Sequence, residues 1–251
     1  MPSTPKELIR ACLPRGVRPR RILAGPLRGQ RLVTSWHDYP AALLGRTERM
    51  LLDWFQANVR AGETWLDIGA HYGYTALALC RLVGARGRVF AFEPMIKTAG
   101  HLSETRAVNG LEQLTVLPLA LSAPTDLETQ QLAVTRGMLD HTLEGGAWHE
   151  TLVVARGDWL WPRICGGTPR FHGAKIDVQG MEIDVLRGMA ATLADLRPRL
   201  VIELHRGVSR PELIEVLKNI GYCGEAIPVE PVDGETTPRF LDDRSYAFLP
   251  S

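Results

Sequence analysis

The chain has 251 residues, 45% hydrophobic and 23% charged, with a net charge of +1. That is the composition of an ordinary water-soluble fold, and the near-zero charge argues against a surface built as a nucleic-acid footprint. No apolar run approaches the roughly 20 residues that span a bilayer, so no transmembrane segment is expected. The first residues, MPSTPKELIRACLPRG, lack the apolar core of a secretory signal, so a cytoplasmic location is the default expectation. Cys12, Cys80, Cys165 and Cys223 lie far apart and form no CxxC pair, which suggests neither a zinc knot nor a disulfide framework.

In chain order, residues 1 to about 20 are rich in Pro and Arg and read as loosely ordered. Between Glu7 and Asp38 there is no acidic residue, while Arg10, Arg15, Arg18, Arg20, Arg21, Arg28 and Arg31 all fall there. This reads as a solvated arm, or as a docking surface for a phosphorylated or otherwise anionic substrate. ILAGPLRGQRLVTSW has room for two short strands around a Gly-Pro turn. From Arg46 to Arg60, Met50, Leu51, Trp54, Phe55 and Val59 fall at helical spacing. We divide the chain into an N-terminal arm with a short β extension, residues 1–45, and a main domain, residues 46–251.

The main domain then alternates. TWLDI, GRVFAFE, LTVLPLAL, AKIDV and RLVIELH read as strands. Helices fall at YTALALCRLVG, at PMIKTAGHLSETRAVNG, around MEIDVLRGM and at SRPELIEVLKNIGY, the last opened by a Ser209/Glu212 capping box. SYAFLP is a closing strand. Short apolar strands alternating with helices predict a doubly wound, mostly parallel seven-stranded sheet with helices on both faces. The stretch from Ala123 to Thr168 breaks the rhythm, and adds strands or a flap. Its Trp148, Trp159 and Trp161 are read either as a wall for a sugar or flat acceptor or as core.

Ligands of such sheets bind beyond the carboxyl ends of the strands. The residues there are Asp67, Glu93, Leu119, Asp177 and Glu203. A structural sheet needs no carboxylates at those points. The turn after Asp67 is Gly69-Ala70-His71-Tyr72-Gly73, a GxxxG that is neither the GxGxxG of a dinucleotide site nor a Walker loop. A nicotinamide-dependent oxidoreductase therefore lacks its phosphate cradle. The charge of Asp67 suits a cationic ligand, and Glu93, about twenty residues beyond Gly73, is placed to accept the hydroxyls of an adenosine ribose. S-adenosylmethionine, with an ammonium, a sulfonium and no phosphate, meets both requirements.

LDIGAHYGYTALALCRLVGARGRVFAFEP resembles the first cofactor motif of class I S-adenosylmethionine-dependent methyltransferases, which have a Rossmann-like fold, and more narrowly that of the FkbM family. That family tends to show D-x-G-A-N-x-G-Y, then AFEP, N-G-L and PLALS, with counterparts at Asp67 to Tyr74, Ala91 to Pro94, Asn109 to Leu111 and Pro118 to Ser122. Its later signature matches KIDVQGMEIDVLRG, Lys175 to Gly188, and RPRLVIELH follows. The resemblance implies that Asp67, Gly69, His71, Gly73, Tyr74, Glu93 and Pro94 hold the cofactor, with Leu119 and Ala120 at the end of the third strand. His71 stands where the family usually has asparagine, and Gln179 where it usually has glutamate. A glutamine cannot act as a base, and this keeps open a non-catalytic, cofactor-binding scaffold subunit.

Methyl transfer to oxygen needs the acceptor held in line and a proton removed. Asp177, Glu203 and His205 are the candidate catalytic residues. Glu203 and His205 alternate along one strand and so share a face, and a histidine is a natural proton acceptor near neutrality. Glu182 and Asp184 support the dipole at the start of the following helix. The catalytic three could also gather a divalent metal that orients a sugar diol, but they form no compact ligand motif, and no metal is assigned. The expected activity is O-methylation of a hydroxyl on a small molecule or carbohydrate, whether sugar, glycolipid precursor or secondary metabolite. No nucleic-acid partner is expected, and a homo-oligomer is compatible with the sequence.

Overall fold

The structure is a computed structural model that describes residues 12–123, 126–135, 138–139, 148–167, 169–232, 235 and 237–250. A hairpin of β1 (Arg18–Arg21) and β2 (Arg31–Thr34) precedes a short helix α1 (Pro40–Leu43) and α2 (Arg49–Asn58). Then β3 (Thr64–Ile68), α3 (Tyr74–Val83), β4 (Arg88–Phe92), α4 (Ile96–Asn109) and β5 (Leu114–Leu117) follow in strict alternation. An irregular block holds β6 (Ala120–Leu121), β7 (Leu127–Thr135), β8 (Met138–Leu139), β9 (Trp148–Ala155) and α5 (Gly157–Cys165). The chain ends with β10 (Gly173–Ile176), α6 (Glu182–Gly188), α7 (Ala190–Leu196), β11 (Arg199–Leu204), α8 (Arg210–Asn219), β12 (Tyr222–Pro228) and β13 (Arg244–Pro250).

The main sheet has seven strands in the order β12-β13-β11-β10-β3-β4-β5. The five from β11 to β5 run parallel, and β13 lies antiparallel between β11 and β12. The doubly wound fold expected from the alternation is the fold observed. Side-chain alternation along each strand separates two cores. Trp65, Val89, Ala91 and Val201 face the side covered by α2, α3 and α4. Leu66, Ile68, Ala174, Ile176, Leu200 and Ile202 face the side covered by α5 to α8.

The structure corrects the reading of LTVLPLAL as one strand. Pro118 has no N–H for a ladder, so the strand ends at Leu117, and Ala120–Leu121 joins a second sheet of order β6-β9-β7-β8. β12 was not foreseen, and neither were α5 and α7 as separate helices. At the other end, β1 starts at Arg18, inside the segment read as loosely ordered. That hairpin is held on α4: the Val33 N–H donates to Thr105 Oγ1 at 2.9 Å, and the Arg31 N–H donates to Asn109 Oδ1 at 2.9 Å. Ile22, Leu27 and Leu32 are fully buried in the same cluster as Leu79 and Val83. The capping role of Ser209 is present, its hydroxyl oxygen accepting the Glu212 N–H at 3.4 Å, while the Glu212 carboxylate turns to Arg187.

Candidate functional site

At the carboxyl ends of the parallel strands lies a cavity of about 510 Å³, within the usual range for a small-ligand site. It is lined by Gly69, Ala70, His71, Glu93, Pro94, Met95 and Leu119 to Leu121, and by Tyr39, Thr47, Glu48, Tyr74, Lys175, Asp177, Gln179 and Glu203. Glu93 follows β4 and Glu203 lies near the end of β11, with β10 and β3 between them, so these two carboxylates mark its opposite ends. Of the residues singled out in the sequence, Gly69, His71, Tyr74, Glu93, Pro94, Leu119, Ala120, Asp177 and Glu203 line it. Asp67, Gly73 and His205 lie behind the lining. Trp161 packs edge-on against Phe90 and Phe171 in the core, and Trp159 carries the Arg163 guanidinium over its ring. Neither lines the cavity, and the side chain of Trp148 lies outside the described residues.

The β3–α3 turn is shaped by crowding. Gly69 has φ +82°, and a Cβ there would overlap the carbonyl oxygen of Asp177. Gly73 has φ +89°, and a Cβ there would overlap Leu102. Between them His71 adopts φ +49°, a left-handed conformation that asparagine tolerates well among non-glycine residues. Its imidazole packs against Tyr39 and Tyr72 with centroids 5.4 and 4.4 Å away. Burial pushes its pKa down to about 4, so the ring is neutral at physiological pH.

Glu93 closes one end of the cavity. Its two carboxylate oxygens accept the N–H groups of His71 at 2.9 Å and Met95 at 3.0 Å. Burial raises its pKa to about 7 against the pull of those two hydrogen bonds. Each oxygen keeps a second lone pair for a ligand.

Beneath the centre of the cavity is a buried charge cluster that sequence reading missed. Lys175 and Asp67 are register partners on β10 and β3, so their side chains project side by side from the same face. The Lys175 ammonium donates to the Gly69 carbonyl at 3.0 Å and sits 3.0 Å from Asp177 Oδ2 and 3.5 Å from Asp67 Oδ1. Asp67 also accepts the Thr75 hydroxyl at 2.8 Å and is fully buried. Burial raises the pKa of Asp67 despite Lys175. Burial would lower that of Lys175, but Asp177 and Asp67 outweigh it and hold the ammonium charged. The readable signal was a lysine inside the otherwise apolar strand GAKI.

At the far end, Asp177, Glu203 and His205 come together from β10 and β11. His205 Nε2 lies 3.5 Å from Asp177 Oδ1 and 3.5 Å from Glu203 Oε1. Its Nδ1 lies 2.8 Å from Glu182 Oε1, and the Gln179 amide nitrogen is 2.8 Å from Nε2. Burial lowers the pKa of the ring, but the Glu182 hydrogen bond and the surrounding carboxylates outweigh it and raise the pKa overall. A ring held charged is a poor proton acceptor in the ligand-free protein. Burial first, then Asp177 and Glu48, push the Glu203 carboxyl upward. Glu48 itself, raised mainly by burial, sits at φ +54° on the cavity wall. It belongs to the loop before α2, where no sequence pattern marked it. Glu182, fully buried against His205, has a job beyond dipole support.

The sequence profile of the methyltransferase FkbM domain matches residues 67–224. The chain belongs to this family. FkbM-domain proteins are S-adenosylmethionine-dependent methyltransferases, and that cofactor is the group the cavity has to fit. The hexuronic acid methyltransferase AglP of Haloferax volcanii is 30% identical over 158 residues, covering 60% of this chain and 59% of that protein. The chain thus spans about three fifths of the length of this curated relative. Among solved structures, the methyltransferase FkbM of Methylobacillus flagellatus KT aligns at 16% identity with a TM-score of 0.48, over 78% of this chain and 50% of that one. Aeropyrum pernix fibrillarin, solved with natively bound S-adenosyl-L-methionine, aligns at 13% identity with a TM-score of 0.47, over 93% and 82%. No helix among the described residues is long and apolar enough to cross a membrane.

Proposed function

We propose that this FkbM-domain chain is an O-methyltransferase whose acceptor is a hydroxyl of a carbohydrate, with a uronic acid sugar as the class to test first. The observation that carries this reading is one cavity with two different ends. A carboxylate pre-ordered by two backbone N–H groups stands at one end, and a carboxylate-rich wall stands at the other. The uronic acid comes from the name of the Haloferax relative, which acts on a hexuronic acid.

The residues suit the cofactor. The free lone pairs of Glu93 would accept the ribose hydroxyls, and Gly69, with no Cβ, lets the turn pack directly on the Asp177 carbonyl. Asp67 acts indirectly, because its charge is spent on Lys175 and Thr75 rather than exposed to the cavity. When bound, S-adenosylmethionine supplies an electrophilic methyl group. The chain positions the acceptor hydroxyl with Asp177 and Glu203, and Glu203, in its ionised form, takes the proton. Lys175 holds Asp177 in place from below.

Calorimetric titration with S-adenosylhomocysteine, followed by transfer of labelled methyl from S-adenosylmethionine to glucuronic acid glycosides, tests the reading. Binding with transfer supports it. No binding at millimolar ligand removes it. A second reading, a non-catalytic cofactor-binding subunit, draws support from Gln179 at a position where a carboxylate would touch His205. It expects tight binding without transfer, and methylation appearing in Gln179→Glu.

A further inference from the structure

The far wall of the cavity has a charge problem. Lys175, Asp177, Glu203 and Glu48 all line it, with His205 and Glu182 directly behind. Lys175 is the only cationic side chain among the described lining residues, His71 being neutral, and it is already engaged by Asp67 and Asp177. An acceptor carrying its own carboxylate meets Glu48, Glu203 and Asp177 with no cation left to receive it.

The geometry of the three residues offers a solution. Both carboxylate oxygens stand 3.5 Å from His205 Nε2, beyond ordinary hydrogen-bond lengths. Ligand atoms about 2.1 Å from a tetrahedral divalent ion lie about 3.4 Å from one another. The imidazole nitrogen and the two carboxylate oxygens all fall within 4.8 Å of each other. Asp177 and Glu203 keep 22% and 19% of their side chains exposed toward the cavity, so an ion has a path in.

A second observation lies outside the trio. Glu182 is fully buried, and its Oε1 stands 2.8 Å from His205 Nδ1. A carboxylate on the far nitrogen keeps a proton on Nδ1, so an ion that displaces the Nε2 proton meets a ring already oriented toward it, which is how metal-binding histidines are ordinarily held. The other oxygen of Glu182 is buried without a hydrogen-bond partner, an expensive arrangement if its sole purpose were to start a helix. Gln179, whose amide now faces Nε2, can turn over and offer its carbonyl oxygen as a neutral fourth donor.

We propose that Asp177, Glu203 and His205 bind a divalent first-row cation at the acceptor end of the cavity, and that this cation receives oxygens of the acceptor. The mixed nitrogen and oxygen donor set suits manganese or zinc better than magnesium or calcium. The acceptor role rests on the methyltransferase reading above, whereas the cation site itself does not.

The test loads the chelator-treated full chain with Mn²⁺ and follows it by electron paramagnetic resonance, with S-adenosylhomocysteine binding measured on the same samples. One tightly bound Mn²⁺ per chain with a nitrogen coupling from imidazole is expected. His205→Gln should abolish the nitrogen coupling, and both His205→Gln and Glu203→Gln should weaken Mn²⁺ by at least about tenfold. Their melting profiles and homocysteine-ligand affinities report whether the fold survives. If a variant unfolds, the nitrogen coupling in the unaltered protein still decides. Absence of that coupling, or equal Mn²⁺ affinity in folded variants, overturns the site. Loss of the site with S-adenosylhomocysteine still bound leaves the methyltransferase reading standing, and the reverse result removes that reading alone.

Discussion

Glu93 shows how far a single side chain can be argued. Its pKa is raised from the ordinary carboxylate range to about 7, so below neutrality it is protonated in the ligand-free protein. Ribose hydroxyls donate to a carboxylate more strongly than to a carboxylic acid, so ligand binding favours the ionised form. Affinity for S-adenosylhomocysteine should therefore rise with pH up to about 7 and then level, by at most about tenfold per unit. In Glu93→Gln that component should vanish while binding weakens, which calorimetry at several pH values will read. A wild-type profile parallel to the variant's would remove Glu93 from the cofactor's contacts. His71, with its pKa near 4, titrates below this window. Its left-handed backbone also explains why an asparagine-like residue suits the position, something the one-dimensional pattern could not supply.

At the scale of elements, register does the chemistry. Because β3 and β10 run parallel with Asp67 opposite Lys175, two charges separated by more than a hundred residues share one buried space. Lys175→Met should leave Asp67 and Asp177 without their cation and cost about 3–5 kcal/mol. Lys175→Met combined with Asp67→Asn should recover part of that loss. Urea unfolding of the four proteins of this cycle measures the coupling, and strictly additive losses would show that the pair does not act as a unit. The same logic places Asp177, Glu203 and His205 together. All three lie at or just past the ends of adjacent parallel strands, where the backbone leaves the sheet and side chains face a ligand space.

For the molecule as a whole, the segment from Ile22 to Glu48 is part of the main domain's core and cavity wall. Ile22, Leu27 and Leu32 are buried with the helices of the main sheet, and Tyr39, Thr47 and Glu48 wall the cavity. Leu32→Ala should cost about 2–5 kcal/mol, as for any fully buried leucine, and should weaken S-adenosylhomocysteine binding through the displaced wall. A loss within about 0.5 kcal/mol in thermal or urea unfolding would instead mark the hairpin as a loosely attached arm. The arginines of the hairpin largely stay outside: Arg18, Arg21, Arg28 and Arg31 are exposed.

Much of the fold was legible because strand and helix periodicities are local properties. TWLDI, for example, occupies the strand expected of it residue for residue. The carboxylates at strand ends were legible for a related reason, since polar residues closing apolar strands stand out in one dimension. The sequence by itself thus determined the doubly wound sheet, the two glycines of the turn and the line of acids along one edge. Tertiary structure alone decided what those acids do. It buried Asp67 against Lys175, turned Glu93 onto two backbone N–H groups, and set His205 between Glu182 and two carboxylates. Charge pairing depends on distances of a few ångströms between strands far apart in the chain, and burial sets the strength of each pair. Neither quantity exists until the strands are in register.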